Sequence, residues 1–260
     1  MAKYIIRGGK PLRGAVKIGG AKNSSFKLMI ASLLAEGESR LLDISQISDV
    51  EVTKQVIESL GGKVSQPGLG TIFVNPGSLM NYKIPQDFGY KSRGSIMFVG
   101  PLLARFGKAR VPFPGGDKVG RRPIERHLEG LAALGAKFKL SDSFVDFECR
   151  SLSGIKYRFR KSTHTGTETM IMAAVRAKGI TILENAALEP EIDDLIEFLN
   201  EMGGKIKRRS GRVIKIEGVE NLKGTIHKAM PDRNEAVSYA CAALATKGDI
   251  IIENAQPKPL

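Results

Sequence analysis

The ten residues Pro114-Gly115-Gly116-Asp117-Lys118-Val119-Gly120-Arg121-Arg122-Pro123 bring together the groups best able to do chemistry. Paired glycines let backbone come close to a ligand, and Asp117 follows at once as a group that can carry a proton. Lys118, Arg121 and Arg122 then supply positive charge. The combination suits a small, multiply charged anion that undergoes a proton transfer while held by cations. A second cationic loop, Gly19-Gly20-Ala21-Lys22-Asn23-Ser24, stands just before a helical pattern near the N-terminus. The function turns on whether the two loops share one site.

The rest of the composition narrows the partners. The chain has 260 residues, enough for one large domain or two ordinary ones. No apolar run is long enough to span a membrane, and the N-terminal residues lack the pattern of a secretory signal. Cys149 and Cys241 have no metal or redox spacing, as expected of reduced thiols in a cytoplasmic protein. A net charge of +13 raises the possibility of nucleic acid. However, the densest cluster, Lys205, Lys207, Arg208, Arg209 and Arg212, has no interleaved aromatics, and tryptophan is absent. A solvated basic surface and an anionic small substrate explain the charge better than nucleic acid does.

The elements that must position the two loops emerge from an internal repeat. A small-residue helix end, a glycine and an apolar strand recur four times, with Gly37, Gly107, Gly179 and Gly248 spaced 70, 72 and 69 residues apart. After the first three glycines come strands at 40–44, 109–113 and 181–184, then helices at 50–60, 123–134 and 191–202. Asp49 is placed to cap the first helix and Pro123 to open the second. Gly61, Gly135 and Gly203 are placed to end the three helices in left-handed conformation. Two strands around a turn follow, then a third strand, a polar loop and another helix. The unit is βαβαββ or a circular permutation of it. The polar loops correspond between units as Gly20–Ser24, Tyr90–Gly94, Thr163–Thr167 and Met230–Asn234. Capping does not explain Lys22, Arg93 or Arg233, because a cation at a helix N-terminus is mildly unfavourable, so these point to an anionic ligand. The fourth unit stops after one strand, and the chain therefore reads as truncated.

The Gly-Gly-Ala-Lys-Asn loop, the Pro114–Pro123 loop, Glu184-Asn185-Ala186-Ala187-Leu188-Glu189-Pro190-Glu191, Pro231-Asp232-Arg233 and Asn254-Ala255-Gln256-Pro257 occur in that order. Together they resemble the UDP-N-acetylglucosamine 1-carboxyvinyltransferases of the enolpyruvyl transferase family. The resemblance implies an inside-out α/β barrel, with residues 21–229 as a complete domain of three repeats. Residues 1–20 and 230–260 would belong to a partial second domain. It further implies transfer of the enolpyruvyl group of phosphoenolpyruvate to the 3-hydroxyl of UDP-N-acetylglucosamine with release of phosphate, in peptidoglycan synthesis. No metal or organic cofactor is implied, and the partners are those two small molecules rather than nucleic acid or membrane.

By the same resemblance, Lys22, Asn23 and Arg122 belong to the phosphoenolpyruvate side. Arg93, the stretch Arg122, Pro123, Ile124, Glu125 and Arg126, and the segment Ser162, Thr163, His164 and Thr165 belong to the nucleotide sugar. Asp117 takes the general-acid position, where many relatives carry the cysteine that fosfomycin alkylates. Insensitivity to that drug is the corresponding expectation. Adjacent cations favour ionised Asp117, which opposes proton donation, whereas a bound phosphate pushes the other way. Ser162 stands where a lysine is common, with Lys161 beside it as a substitute, and His164 replaces a smaller residue.

Each residue also has a purely structural reading. Asp117 could cap a turn, Lys22 could be solvated, and Arg122 could pair with Glu125 or Glu129. His127 and His227 read as packing or solvent-facing residues. Two other functions remain open: a transferase acting on shikimate 3-phosphate, and a non-catalytic fragment or degenerate paralogue that only binds a nucleotide sugar or a partner.

Overall fold

The computed structural model describes residues 3–91, 93–113 and 124–256, with backbone alone at Tyr90 and Arg93. The repeat has a direct counterpart in the sheets. Strands β2 (Ser39–Leu42), β3 (Lys63–Gly68) and β4 (Thr71–Asn75) belong to the first unit, and β5 (Lys108–Pro112), β6 (Lys137–Leu140) and β7 (Phe144–Glu148) to the second. The third has β8 (Lys156–Arg158), β9 (Ile180–Glu184), β10 (Lys205–Arg208) and β11 (Ile214–Glu217). The third sheet runs β8-β9-β11-β10, with β8 parallel to β9 and the remaining pairs antiparallel. The second runs β5-β7-β6, and Lys83 bridges Arg110 in parallel where a leading strand would lie.

The first sheet obtains its leading strand from the far end of the chain. β12 (Ile226–Lys228) lies parallel to β2, giving the order β12-β2-β4-β3. Strand β1 (Arg13–Lys17) has the corresponding repeat position but pairs with β13 (Asp249–Glu253) in a separate two-stranded sheet. The three units therefore close on themselves as a ring, and β1 and β13 stand apart from it.

Three helical segments form the interior. They are α1 (Lys22–Ala31), which continues as a 3-10 turn to Leu34, α4 (Val99–Phe106), which follows a 3-10 turn from Arg93, and α6 (His164–Ala174). Ser24 to Ala31 of α1 and Gly166 to Ala174 of α6 are buried without a break. Their second halves, Leu28 to Ala31 and Met170 to Ala174, are apolar on every side, and a stretch with no polar face to give to water must sit inside. That requirement is why the helices lie in the middle and the sheets around them.

Helices α2 (Ser48–Ser59), α5 (Glu125–Ala133) and α7 (Pro190–Glu201) bury one face each, α2 and α7 against α1, α5 and α7 against α6. They end as expected, with φ of 95° at Gly61, 102° at Gly135 and 105° at Gly203. The cap expected at Asp49 is not found. Ile47 is the N-cap of α2, and Asp49 lies within its first turn, where a carboxylate faces the positive end of the helix dipole. The short α3 (Gln86–Lys91) and the exposed α8 (Arg233–Thr246) complete the order. No helix among the described residues is long and apolar enough to cross a membrane.

Ring closure at β12 carries a titratable group. His227 is 5% exposed, with Nε2 at 3.1 Å from Asp194 Oδ1 and Nδ1 at 2.9 Å from Glu201 Oε2. Burial alone would lower its pKa, but hydrogen bonds and charge from Asp194 and Glu201 outweigh that and raise it. A folded-state pKa above the unfolded value gives stability that is complete below the unfolded value and lost as pH rises through the folded one. Urea unfolding should thus show stability falling as pH rises above the ordinary histidine range, the side on which the raised group titrates. In His227→Gln the fall should flatten, and an unchanged slope would remove His227 as its source.

Candidate functional site

Glycines 19 and 20, Lys22 and the Pro231-Asp232-Arg233 segment meet where α1 and α8 begin. Ala21 N donates to Met230 O at 2.7 Å, Asp232 N donates to Gly19 O at 2.9 Å, and Gly20 bridges Pro231. A Cβ at Gly20 would lie 1.5 Å from the carbonyl oxygen of Asp43, so only glycine fits this crossing. Asp232, 9% exposed, serves both helices. Its Oδ2 accepts from Lys22 N at 2.7 Å, and its Oδ1 accepts from Asn234 N at 2.8 Å and Glu235 N at 3.1 Å. One carboxylate thus satisfies donors at two helix starts. In Asp232→Ala both lose it, and a loss of about 2 kcal/mol is expected, the upper end for a single cap. Denaturant unfolding checks this, and a loss of only a few tenths would show that water replaces the carboxylate.

The cations at these helix starts have carboxylate partners. Lys22 Nζ is 3.4 Å from Asp49 Oδ2, with its side chain 55% exposed, so the pair is weak and the ammonium stays accessible. It lines a cavity of about 540 Å³ with Gly19, Gly20, Asp43, Asp232 and Glu235. Arg233 is held more firmly. Its Nε and Nη2 donate to the two oxygens of Glu191 at 3.2 and 3.4 Å, and Glu191 is 1% exposed. The unfavourable cation at the start of α8 is therefore neutralised by a buried acid of α7, which supplies a structural reason for Arg233.

A second, open cleft of about 760 Å³ is lined by Arg233, Glu189, Asp193, Arg212 and Ser162. Arg212 Nη1 donates to Ser162 Oγ at 2.9 Å and to Ala186 O at 3.0 Å. Beyond Ser162, Thr163 caps α6, accepting from Gly166 N at 3.3 Å. Thr165 Oγ1 lies 3.1 Å from His127 Nε2, and His164 Nε2 lies 3.2 Å from both Lys27 Nζ and Glu168 Oε1.

Of the residues expected at the site, Lys22, Asn23, Ser162, Thr163, His164 and Thr165 all lie in the opening turns of α1 and α6 or just before them. Ile124, Glu125 and Arg126 open α5. Arg93 starts the 3-10 turn before α4. Asp117, Arg122 and Pro123 lie outside the described residues, in the connection from β5 to α5. His127 is 4% exposed and His227 5%, so both pack rather than face solvent. Among the described residues, no group of three His, Cys, Asp or Glu side chains is gathered as a metal site.

Two contributors were hidden in the sequence. Arg212 belongs to the cluster that reads as solvated surface, yet it reaches Ser162, while Lys161 is exposed. The buried pair Lys27–Glu168, with Nζ 2.6 Å from Oε1, spans α1 and α6. Its only sequence signal is a lysine inside the otherwise apolar run from Phe26 to Ala31.

Comparison with known proteins agrees with this fold. The family model for EPSP synthase (3-phosphoshikimate 1-carboxyvinyltransferase) matches residues 6–260. UDP-N-acetylglucosamine 1-carboxyvinyltransferase of Sorangium cellulosum is 43% identical over 256 residues, covering 98% of this chain and 60% of that protein. Its counterpart in Geotalea uraniireducens is also 43% identical, with 98% and 61% covered. The chain thus spans about three-fifths of the length of the curated relatives it matches. Among solved structures, the enolpyruvyl transferase NikO from Streptomyces tendae superposes with TM-score 0.80 at 23% identity, covering 91% of this chain and 56% of that one. EPSP synthase from Acinetobacter baumannii superposes with TM-score 0.73 at 20% identity, covering 89% and 53%. These two likenesses concern the fold.

Proposed function

On the premise that the chain belongs to the EPSP synthase family, we propose that it carries the substrate-binding part of a UDP-N-acetylglucosamine 1-carboxyvinyltransferase. The single observation that carries this is the 43% identity to two curated enzymes of that name over 98% of the chain. The reaction moves the enolpyruvyl group from phosphoenolpyruvate to the 3-hydroxyl of the sugar and releases phosphate, in peptidoglycan synthesis in the cytoplasm.

In this reading the exposed ammonium of Lys22, with Asn23 and Arg122, offsets the charge of phosphoenolpyruvate. Arg93, the residues from Arg122 to Arg126 and those from Ser162 to Thr165 hold the nucleotide sugar. The diphosphate lies at the start of α6, where free N–H groups and the helix dipole favour an anion. Arg212, anchored on Ser162 and Ala186, adds a cation beside it. Asp117 protonates the enol carbon. Residues 21–229 form a complete domain, and residues 1–20 with 230–260 begin a second one. The pairing of β1 with β13 rather than with β2 supports that division.

Calorimetric titration tests the substrate. UDP-N-acetylglucosamine should bind this chain and shikimate 3-phosphate should not. Binding of shikimate 3-phosphate alone would transfer the chain to the other branch of the family. Binding of neither would favour a degenerate form.

A further inference from the structure

The pair Lys27–Glu168 has no evident reason to exist as a device for stability. The lysine side chain is 4% exposed and the glutamate side chain fully buried, and apolar residues of similar volume in such places are commonly as stable or more so. Glu168 Oε2 is moreover buried without a hydrogen-bond partner. What the pair does accomplish is to hold His164. The imidazole Nε2 lies 3.2 Å from Lys27 Nζ and 3.2 Å from Glu168 Oε1, and the side chain stays 22% exposed in the first turn of α6.

The donor inventory then assigns the proton. An ammonium has three donors and no acceptor capacity. Lys27 commits one N–H to Glu168 Oε1 at 2.6 Å and turns the same nitrogen toward Nε2. Of the two neighbours at 3.2 Å, Lys27 Nζ stands in hydrogen-bond geometry to Nε2, whereas Glu168 Oε1 makes only a charge contact, so a neutral imidazole offers its Nε2 lone pair to the ammonium and carries its proton on Nδ1. The Nε2 edge is the one turned into the protein, and the opposite edge carries the Nδ1–H.

We propose that Lys27 and Glu168 are positioning residues that fix His164 as the Nδ1–H tautomer, a ready-made donor for a diphosphate oxygen at the start of α6. The ligand's name rests on the nucleotide-sugar reading above, but the tautomer does not. Thr165, tied at 3.1 Å to His127 Nε2, is anchored next to it, so the turn that would meet the anion is braced from α1, α5 and α6.

The chain has three histidines, which makes the test direct. Long-range nitrogen–proton correlation on the ¹⁵N-labelled chain, with His164→Gln for assignment, should show His164 protonated at Nδ1 and bare at Nε2. The double variant Lys27→Met/Glu168→Leu leaves no buried charge behind and should return His164 to the mixed tautomers of a solvated imidazole. It should also weaken UDP-N-acetylglucosamine by roughly tenfold, the order expected for one lost hydrogen bond to a charged group, with phosphoenolpyruvate unaffected. A neutral His164 protonated at Nε2 in the wild type overturns the proposal, as does a double variant that keeps the tautomer. If the wild type binds no nucleotide sugar, the functional reading fails, and the tautomer measurement still decides the role of Lys27 and Glu168.

Discussion

Asp117→Asn is expected to lower enolpyruvyl transfer by roughly 10²–10⁴-fold, the range for removing a positioned general acid. Asparagine keeps the shape and most of the hydrogen bonding of the carboxylate but has no proton to deliver to the enol carbon. Binding of UDP-N-acetylglucosamine should change little, because Asp117 is not among the groups proposed to hold it. The measurement is phosphate release from phosphoenolpyruvate, in a protein joining this chain to the remaining length of its curated relatives. Asp117→Cys should restore turnover and introduce alkylation by fosfomycin, visible as a mass increase on the tryptic peptide. The unaltered protein should take up no drug. Activity surviving in Asp117→Asn, or drug attached to Asp117, would assign proton delivery to another group.

The same loop shows how far residues alone could reach. Its place between strand and helix followed from glycine-punctuated repeats, because Gly37, Gly107 and Gly179 mark equivalent helix-to-strand joints. C-caps at Gly61, Gly135 and Gly203 were legible for a related reason: a left-handed residue ending an apolar pattern is local chemistry. Ring closure was not legible. β1 and β12 hold the same repeat position, and only tertiary pairing decides that β12 joins β2 while β1 joins β13.

The site divides along the same line. Short motifs located the helix starts at Lys22, Thr163 and Arg233, since loop polarity before an apolar helix is a local signal. The partners came from far along the chain and left no local trace. Asp232 reaches Lys22 across 210 residues, Arg212 reaches Ser162 across 50, and Lys27 reaches Glu168 across 141. Arg233 shows the opposite case. Its position pointed to an anionic ligand, and Glu191 also supplies a buried counter-charge from another helix.

Lys27→Met without a second change should be among the most destabilising substitutions in the chain, at about 3–5 kcal/mol. Methionine fills the space well, so the cost is not a cavity. It arises because Glu168, fully buried, loses the ammonium at 2.6 Å while its other oxygen already lacks a partner. At this chain length such a loss corresponds to a fall in Tm of roughly 10 °C. Adding Glu168→Leu removes the stranded charge, and the double variant should unfold within about 1 kcal/mol of the wild type or above it. Removing Lys156 from its pair with Glu184, where the lysine side chain is 71% exposed, should by contrast leave the unfolding midpoint almost unchanged. A single variant as stable as the wild type would mean that water or a rearranged partner reaches Glu168. The pair would then no longer constrain His164. A costly single variant with a stable double is the pattern expected if the ions serve the orientation of the histidine rather than the stability of the fold.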